Sequence, residues 1–144
     1  MSGIFGTKAV LVTDVNLAIQ ILVFILLLVA IAYKFRGRYK LHGAVMGVAT
    51  VLHLITFFAV MAPSFMVGFE FLTTELSQVG VVTLWVHVIG AVSLILSVFL
   101  VAAWVPKASN IGPCFKRKRL MDATFSLWVI SLVFGIATYV AFYL

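Results

Sequence analysis

Charged and thiol side chains are scarce in this sequence, and their scarcity restricts its chemistry. Only 10% of the 144 residues are charged, and only four are acidic. The single cysteine, Cys114, excludes an internal disulfide and any site built from paired cysteines. No carboxylate lies in the middle of a long apolar run, which argues against a proton-coupled carrier. The sequence also contains neither an HExxH zinc motif nor a phosphate-binding glycine loop.

Apolar residues are abundant and are grouped in blocks. The chain is 65% hydrophobic, and its mean hydropathy is +1.26. The blocks cover residues 14–33, 41–62, 78–105 and 121–143, and each is near the ~20 residues that a membrane core of ~30 Å requires. Because the connections are short, we expect an all-α, polytopic membrane protein. Its single domain, residues 1–144, is predicted to hold four transmembrane helices in an up-down bundle.

The connection after the second block has its own signals. Pro63 is expected to end the second helix, because proline lacks a backbone donor and disfavours helix in the residue before it. The following stretch mixes aromatic residues with Glu70 and Glu75. It predicts a short helix lying in the membrane interface, with Phe65, Phe69 and Leu72 facing lipid.

Nine of the ten Lys and Arg residues lie in two of the three connections. Short basic loops stay cytoplasmic, so both termini are predicted to lie outside a multi-pass protein of the cell membrane. We expect the basic residues to contact anionic lipid head groups rather than nucleic acid. Asp122 is interpreted as a helix-start residue that can pair with Lys118 or Arg119. The residues predicted to contact head groups are Lys34, Arg36, Arg38, Lys40, Lys116, Arg117, Lys118 and Arg119.

Small and polar residues recur at helical spacing and predict the faces that turn inward. The fourth block shows the clearest stripe. The predicted inward residues are His42, Met46, Ala49, His53 and Thr56 in the second block; Thr83, His87, Gly90, Ser93 and Ser97 in the third; and Thr124, Trp128, Ser131, Gly135 and Thr138 in the fourth. The first block contributes Asn16 and Gln20, and Gly43 with Gly47 matches a small-xxx-small contact motif.

Three histidines are the candidate functional residues. Helix rise places His53 and His87 at a similar depth near the membrane midplane, while His42 lies at the cytoplasmic end. Matched imidazoles on antiparallel helices are the geometry that holds one haem iron, and Gly90 would let a porphyrin approach the backbone. The alternatives are a structural pair bonded to the hydroxyls of Thr56, Thr83 or the fourth helix, and contact with a quinone or a partner. Haem b is therefore a possible cofactor.

Two short stretches carry a family resemblance. In the last block Thr124, Trp128, Gly135 and Tyr139 have spacing similar to that of the YozB/CtaM-like family, small membrane proteins of unknown function. The stretches "KLHGAVM" and "HVIGAVSLILSVFL" also resemble it over the second to fourth helices. The resemblance implies that His42 and His87 occupy family histidine positions that can hold a metal. It also implies a link to the maturation of haem–copper terminal oxidases.

Two functions follow as expectations. The first is a non-catalytic accessory subunit or assembly factor of a larger respiratory or metal-dependent membrane enzyme, with the bilayer and other integral membrane subunits as partners. The second is a small b-type cytochrome in which His53 and His87 are the axial ligands of one haem. The sequence does not predict an enzyme.

Overall fold

The structure, a computed structural model, describes residues 4, 6, 9–74, 78–110 and 112–143. Within these ranges it describes the side chains except those of residues 71–74, 78, 79, 113 and 114. The expectations for Leu72, Glu75 and the Cys114 thiol therefore lie outside the described part of the chain.

The described chain is all-α, as predicted. It contains α1 (Leu11–Phe35), α2 (Tyr39–Thr56), a π-helical turn (Phe57–Met61), α3 (Ala62–Thr74), α4 (Gln78–Trp104), the short α5 (Gly112–Lys116) and α6 (Lys118–Tyr143). Four helices are long and apolar enough to cross a membrane. They cover Leu11–Phe35, Tyr39–Glu70, Gly80–Lys107 and Lys118–Tyr143.

The four spans pack as a closed ring. Helix α1 packs against α2, α2 against α4, α4 against α6, and α6 against α1. Each neighbour in the chain runs in the opposite direction, which is the up-down bundle that short connections favour. We call the half of the bundle that holds Leu11 and Tyr143 the termini half, and the half that holds the two basic connections the loop half.

The second span differs from its prediction at Pro63. The helix does not end there, because the π-helical turn from Phe57 to Met61 leads directly into α3. In this turn the amide of Ala62 bonds to the carbonyl of Phe57, five residues back. The wider turn accommodates the proline ring, which in a regular α-helix would clash with the carbonyl four residues earlier.

The segment expected to lie in the interface is instead the end of this long helix. Phe65, predicted to face lipid, is half-buried, and its ring stacks on His87 at 5.1 Å between ring centroids. Phe69 is exposed, and it packs edge-on against Phe65. The expectation for Phe65 is thus wrong, while that for Phe69 agrees with its exposure.

The predicted inward stripes agree with the observed burial. Buried polar residues and small apolar residues lie side by side in the interior, around a core formed by Val23, Leu27, Ala49, Trp128 and Leu132. Most buried hydroxyls bond to carbonyls of their own helix, as Ser93 does to Gly90 and Thr124 to Leu120. Such bonds satisfy a hydroxyl in an apolar surrounding without joining two helices.

Gly43 and Gly47, the predicted contact motif, both face α4. A Cβ atom at Gly43 would lie 2.6 Å from two atoms of the Trp104 ring, whereas one at Gly47 would have Val101 as its nearest neighbour at 3.9 Å. Gly43 thus allows the loop end of α4 to approach α2 closely.

We expect Gly43→Ala to lower the free energy of unfolding by about 1–2 kcal/mol, because the Trp104 indole must move out of its packed position. Gly47→Ala is the matched control, and the better helix propensity of alanine should leave it equal to or more stable than the parent. Denaturant unfolding of both variants in the same detergent measures the difference. Equal stability of the two would contradict the close packing at Gly43.

Candidate functional site

The largest enclosed space is a partly open cavity of about 370 Å³ in the termini half. All four spans line it, so it is a feature of the bundle rather than of one helix. Its volume is within the range of small-molecule sites, which is about 300–1,000 Å³. Its polar lining consists of Thr13, Asn16, Gln20, His53, Ser64, Thr83, His87, Ser131, Thr138, Tyr139 and Tyr143. No lysine, arginine, aspartate or glutamate is among the described residues that line it.

His53 lines this cavity from α2 and is only 1% exposed. Its ring packs edge-on against Trp128 at 5.2 Å between centroids. Neither ring nitrogen has a hydrogen-bond partner among the described residues, and the Trp128 Nε1 also lacks one. The expected bond to a Thr56 hydroxyl is absent, because that hydroxyl donates to the backbone carbonyls of Leu52 and His53. An unsatisfied buried polar group costs about 1–3 kcal/mol, so His53 is the least satisfied group of the interior.

His87 lines the same cavity from α4. Its Nδ1 lies 2.7 Å from the backbone carbonyl oxygen of Thr83, one turn earlier in the same helix. Because a carbonyl only accepts, Nδ1 carries the hydrogen, and Nε2 of the neutral ring is left as an acceptor. Together with the stacking on Phe65, this bond fixes the ring orientation.

The two imidazoles lie at different depths. Phe65 follows His53 by twelve residues, a rise of about 18 Å, and side chains of one helix lean in the same direction along its axis. His87 stacks on Phe65 at 5.1 Å, which leaves the two imidazole rings roughly 13 Å apart. Two nitrogens that share one metal ion each lie about 2 Å from it. The matched depth expected for one haem iron between His53 and His87 is therefore not found.

His42 and His87 do not form a joint metal site in this structure. His42 lies in the loop half, where its Nδ1 is 2.8 Å from the carbonyl oxygen of Ala30 in α1, whereas His87 lines the cavity of the termini half. Among the described residues no three His, Cys, Asp or Glu side chains are grouped as a metal ligand set.

Gly90 also has a different neighbour from the expected one. A Cβ atom at this position would lie 2.8 Å from the Ser131 Oγ of α6, and that hydroxyl donates to the carbonyl of Val86 at 3.3 Å. The open side of Gly90 is thus occupied by α6, and the glycine serves helix packing rather than a porphyrin.

The basic residues remain exposed in the loop half, with one exception. Lys34 forms an ion pair with Asp122 that joins α1 to α6, so Lys34 is not a free head-group contact and Asp122 does not pair with Lys118 or Arg119. Arg117 lies over the Phe99 ring, 5.5 Å from its centroid. A smaller space of about 70 Å³ adjoins Lys34, His42 and Trp104, which leaves room for about two water molecules.

One buried pair was not predicted from the sequence. Asp14, interpreted as a residue at the helix start, is fully buried, and the Tyr139 hydroxyl donates to its carboxylate. An aspartate in the first turn of a helix is explained by the helix dipole alone, so the sequence offered no signal for its burial. The bond closes the ring of helices by joining α1 to α6 in the termini half.

No protein-family model matches this chain, and neither the curated proteins nor the solved structures gave a match.

Tyr139→Phe should lower the free energy of unfolding by about 1–3 kcal/mol, because the variant removes a donor from the buried Asp14 carboxylate. Tyr143→Phe provides the matched control on the same helix, and we expect it to change stability by less than about 0.5 kcal/mol. Thermal or denaturant unfolding in detergent compares them. Similar losses in both variants would show that the bond between Tyr139 and Asp14 contributes nothing specific.

Proposed function

We propose that this chain is a non-catalytic integral membrane protein, an accessory subunit or assembly factor of a larger membrane-bound respiratory or metal-dependent enzyme. We further propose that it lies in the cell membrane with its basic loops cytoplasmic and both termini outside. The positive charges confined to the loop half support this orientation.

The observation that carries the proposal is a stripe of large apolar side chains on α4. Trp85, Val88, Val92, Ile95 and Phe99 follow one another at spacings of three and four residues, and each is between 43% and 68% exposed. This spacing is typical of a helix that packs against another helix along its length. Aromatic residues are enriched in such protein interfaces, and this stripe has one near each end. We define these five residues as the α4 stripe.

The use of the buried polar residues supports a non-catalytic role. Lys34 with Asp122, Tyr139 with Asp14, Gln20 with Thr56 and His42 with Ala30 each join two different helices. Catalysis needs a nucleophile, a base and an orienting group at one position. Here the bonded groups are distributed from one end of the bundle to the other, as a scaffold requires.

Native purification through an affinity tag tests this function. We expect the parent chain to co-purify with subunits of one membrane enzyme, and Ile95→Ala in the α4 stripe to reduce the recovered partner several-fold. Ile25→Ala on the exposed face of α1, where the side chain is 50% exposed, is the matched control and should retain the partner. Recovery of the chain alone under mild detergent conditions would refute the proposal.

The second candidate is a small b-type cytochrome, and one observation favours it: His53 and His87 line the same cavity. Their difference in depth and the lack of a basic residue for haem propionates among the described lining residues place it second.

We expect protein purified from haem-replete cells to show no Soret band, since the two imidazoles are too far apart for one iron. An absorption spectrum decides this directly. A Soret band that disappears in both His53→Ala and His87→Ala would establish the cytochrome and overturn the order of the two candidates.

A further inference from the structure

The cavity selects for a neutral ligand. Its described lining contains no charged side chain, and a phosphate, a carboxylate or an ammonium group would remain unpaired there at a large energetic cost. This property disfavours phospholipid head groups, fatty acids and haem propionates. It leaves uncharged molecules that reach the cavity from the surrounding membrane.

The lining has unmet hydrogen-bonding capacity. The two ring nitrogens of His53 and the Oδ1 of Asn16 are buried without a partner among the described residues. A neutral imidazole offers one donor and one acceptor, so His53 suits a hydroxyl group, which can both donate and accept. The Nε2 of His87 is an acceptor because Nδ1 is bonded to Thr83, and it suits a second hydroxyl.

The lining is also suited to a ring. Aromatic side chains of α3 and α6, including Phe65 and Phe142, form part of the wall, and Leu17, Met61 and Ile136 add apolar surface. A pocket with apolar walls and a few polar groups at fixed positions is typical of sites for small organic ligands.

The separation of the two imidazoles matches the length of a para-quinol. The two oxygens of such a ring are about 5.5 Å apart, given ordinary bond lengths. A hydrogen bond of about 2.8 Å at each end, with the distance from each nitrogen to its ring centre, brings the imidazole centres to roughly 13 Å. This is the separation derived from the stacking of His87 on Phe65.

We propose that the cavity binds the ring of a lipid-soluble quinol, with one hydroxyl bonded to His53 and the other donated to Nε2 of His87. The inference concerns binding alone. It goes beyond the proposed function, because it assigns a ligand to the chain itself and does not depend on which enzyme the chain accompanies.

Binding is measured with the purified full chain in phosphatidylcholine nanodiscs that contain no quinone. A short-tailed para-benzoquinol is added under anaerobic conditions, and bound quinol is extracted and quantified against empty nanodiscs. We expect a saturable excess that approaches one quinol per chain. An amount equal to that in empty nanodiscs would overturn the proposal.

Three variants separate the site from the fold. His53→Leu removes the hydrogen bond, and Gly135→Leu fills the cavity from a position where an added Cβ meets no atom within 4 Å. We expect each to weaken binding at least tenfold, which corresponds to about 1.4 kcal/mol. Gly47→Ala, outside the cavity, should leave binding unchanged. Undiminished binding in correctly folded His53→Leu and Gly135→Leu would place the quinol elsewhere and refute the assignment.

The dimethyl ether of the same quinol tests the role of the hydroxyls. Because the Nε2 of His87 only accepts, the ether should bind at least tenfold more weakly. Equal binding of the ether, or of a monohydroxy sterol, would show that the cavity recognises apolar shape alone and would contradict the proposal. Recovery of a partner enzyme by a chain that binds no quinol would refute this inference and leave the proposed function intact, and the reverse result would do the opposite.

Discussion

The cost of an unpaired polar group in an apolar interior is the constraint on which this structure depends. A membrane core offers no water to a buried donor or acceptor, so each group must find its partner within the protein. The bundle meets this requirement with cross-helix bonds at both ends, Lys34 to Asp122 in the loop half and Tyr139 to Asp14 in the termini half. Both bonds join α1 to α6, the helices furthest apart in the chain, and they close the ring of four spans.

Against that background, His53 is the exception. Most buried hydroxyls bond to their own helix backbone, and His42 bonds to the carbonyl of Ala30. Only four buried polar side-chain atoms lack a partner among the described residues, and two of them belong to the ring of His53. Because this ring adjoins a cavity, its unmet capacity is directed at whatever occupies that space, and the position of the exception suggests function rather than structural default.

The sequence predicted the architecture well and the site only in part. Length and hydropathy determine the four spans, and helical periodicity identified inward residues such as Ser97, Thr124 and Trp128, because these signals depend on local sequence alone. The relative depth of His53 and His87 was predicted wrongly. It depends on the length and course of α3, which the presence of Pro63 made appear to end early. The ion pair of Lys34 and the burial of Asp14 depend on contacts between α1 and α6, more than 80 residues apart, which no local pattern encodes.

The π-helical turn between α2 and α3 has a geometric consequence for the cavity wall. One additional residue in a helical turn rotates all that follows by about 100° relative to an uninterrupted α-helix. That rotation helps to bring Phe65 round to His87 and the Met61 sulfur within 3.7 Å of the Gln20 amide nitrogen. A chain shortened by one residue here would keep its hydropathy profile, its length of span and its proline. It would nevertheless direct a different set of side chains toward the bundle axis, so the phase of a single helix separates a lined chamber from an ordinary hydrophobic seam.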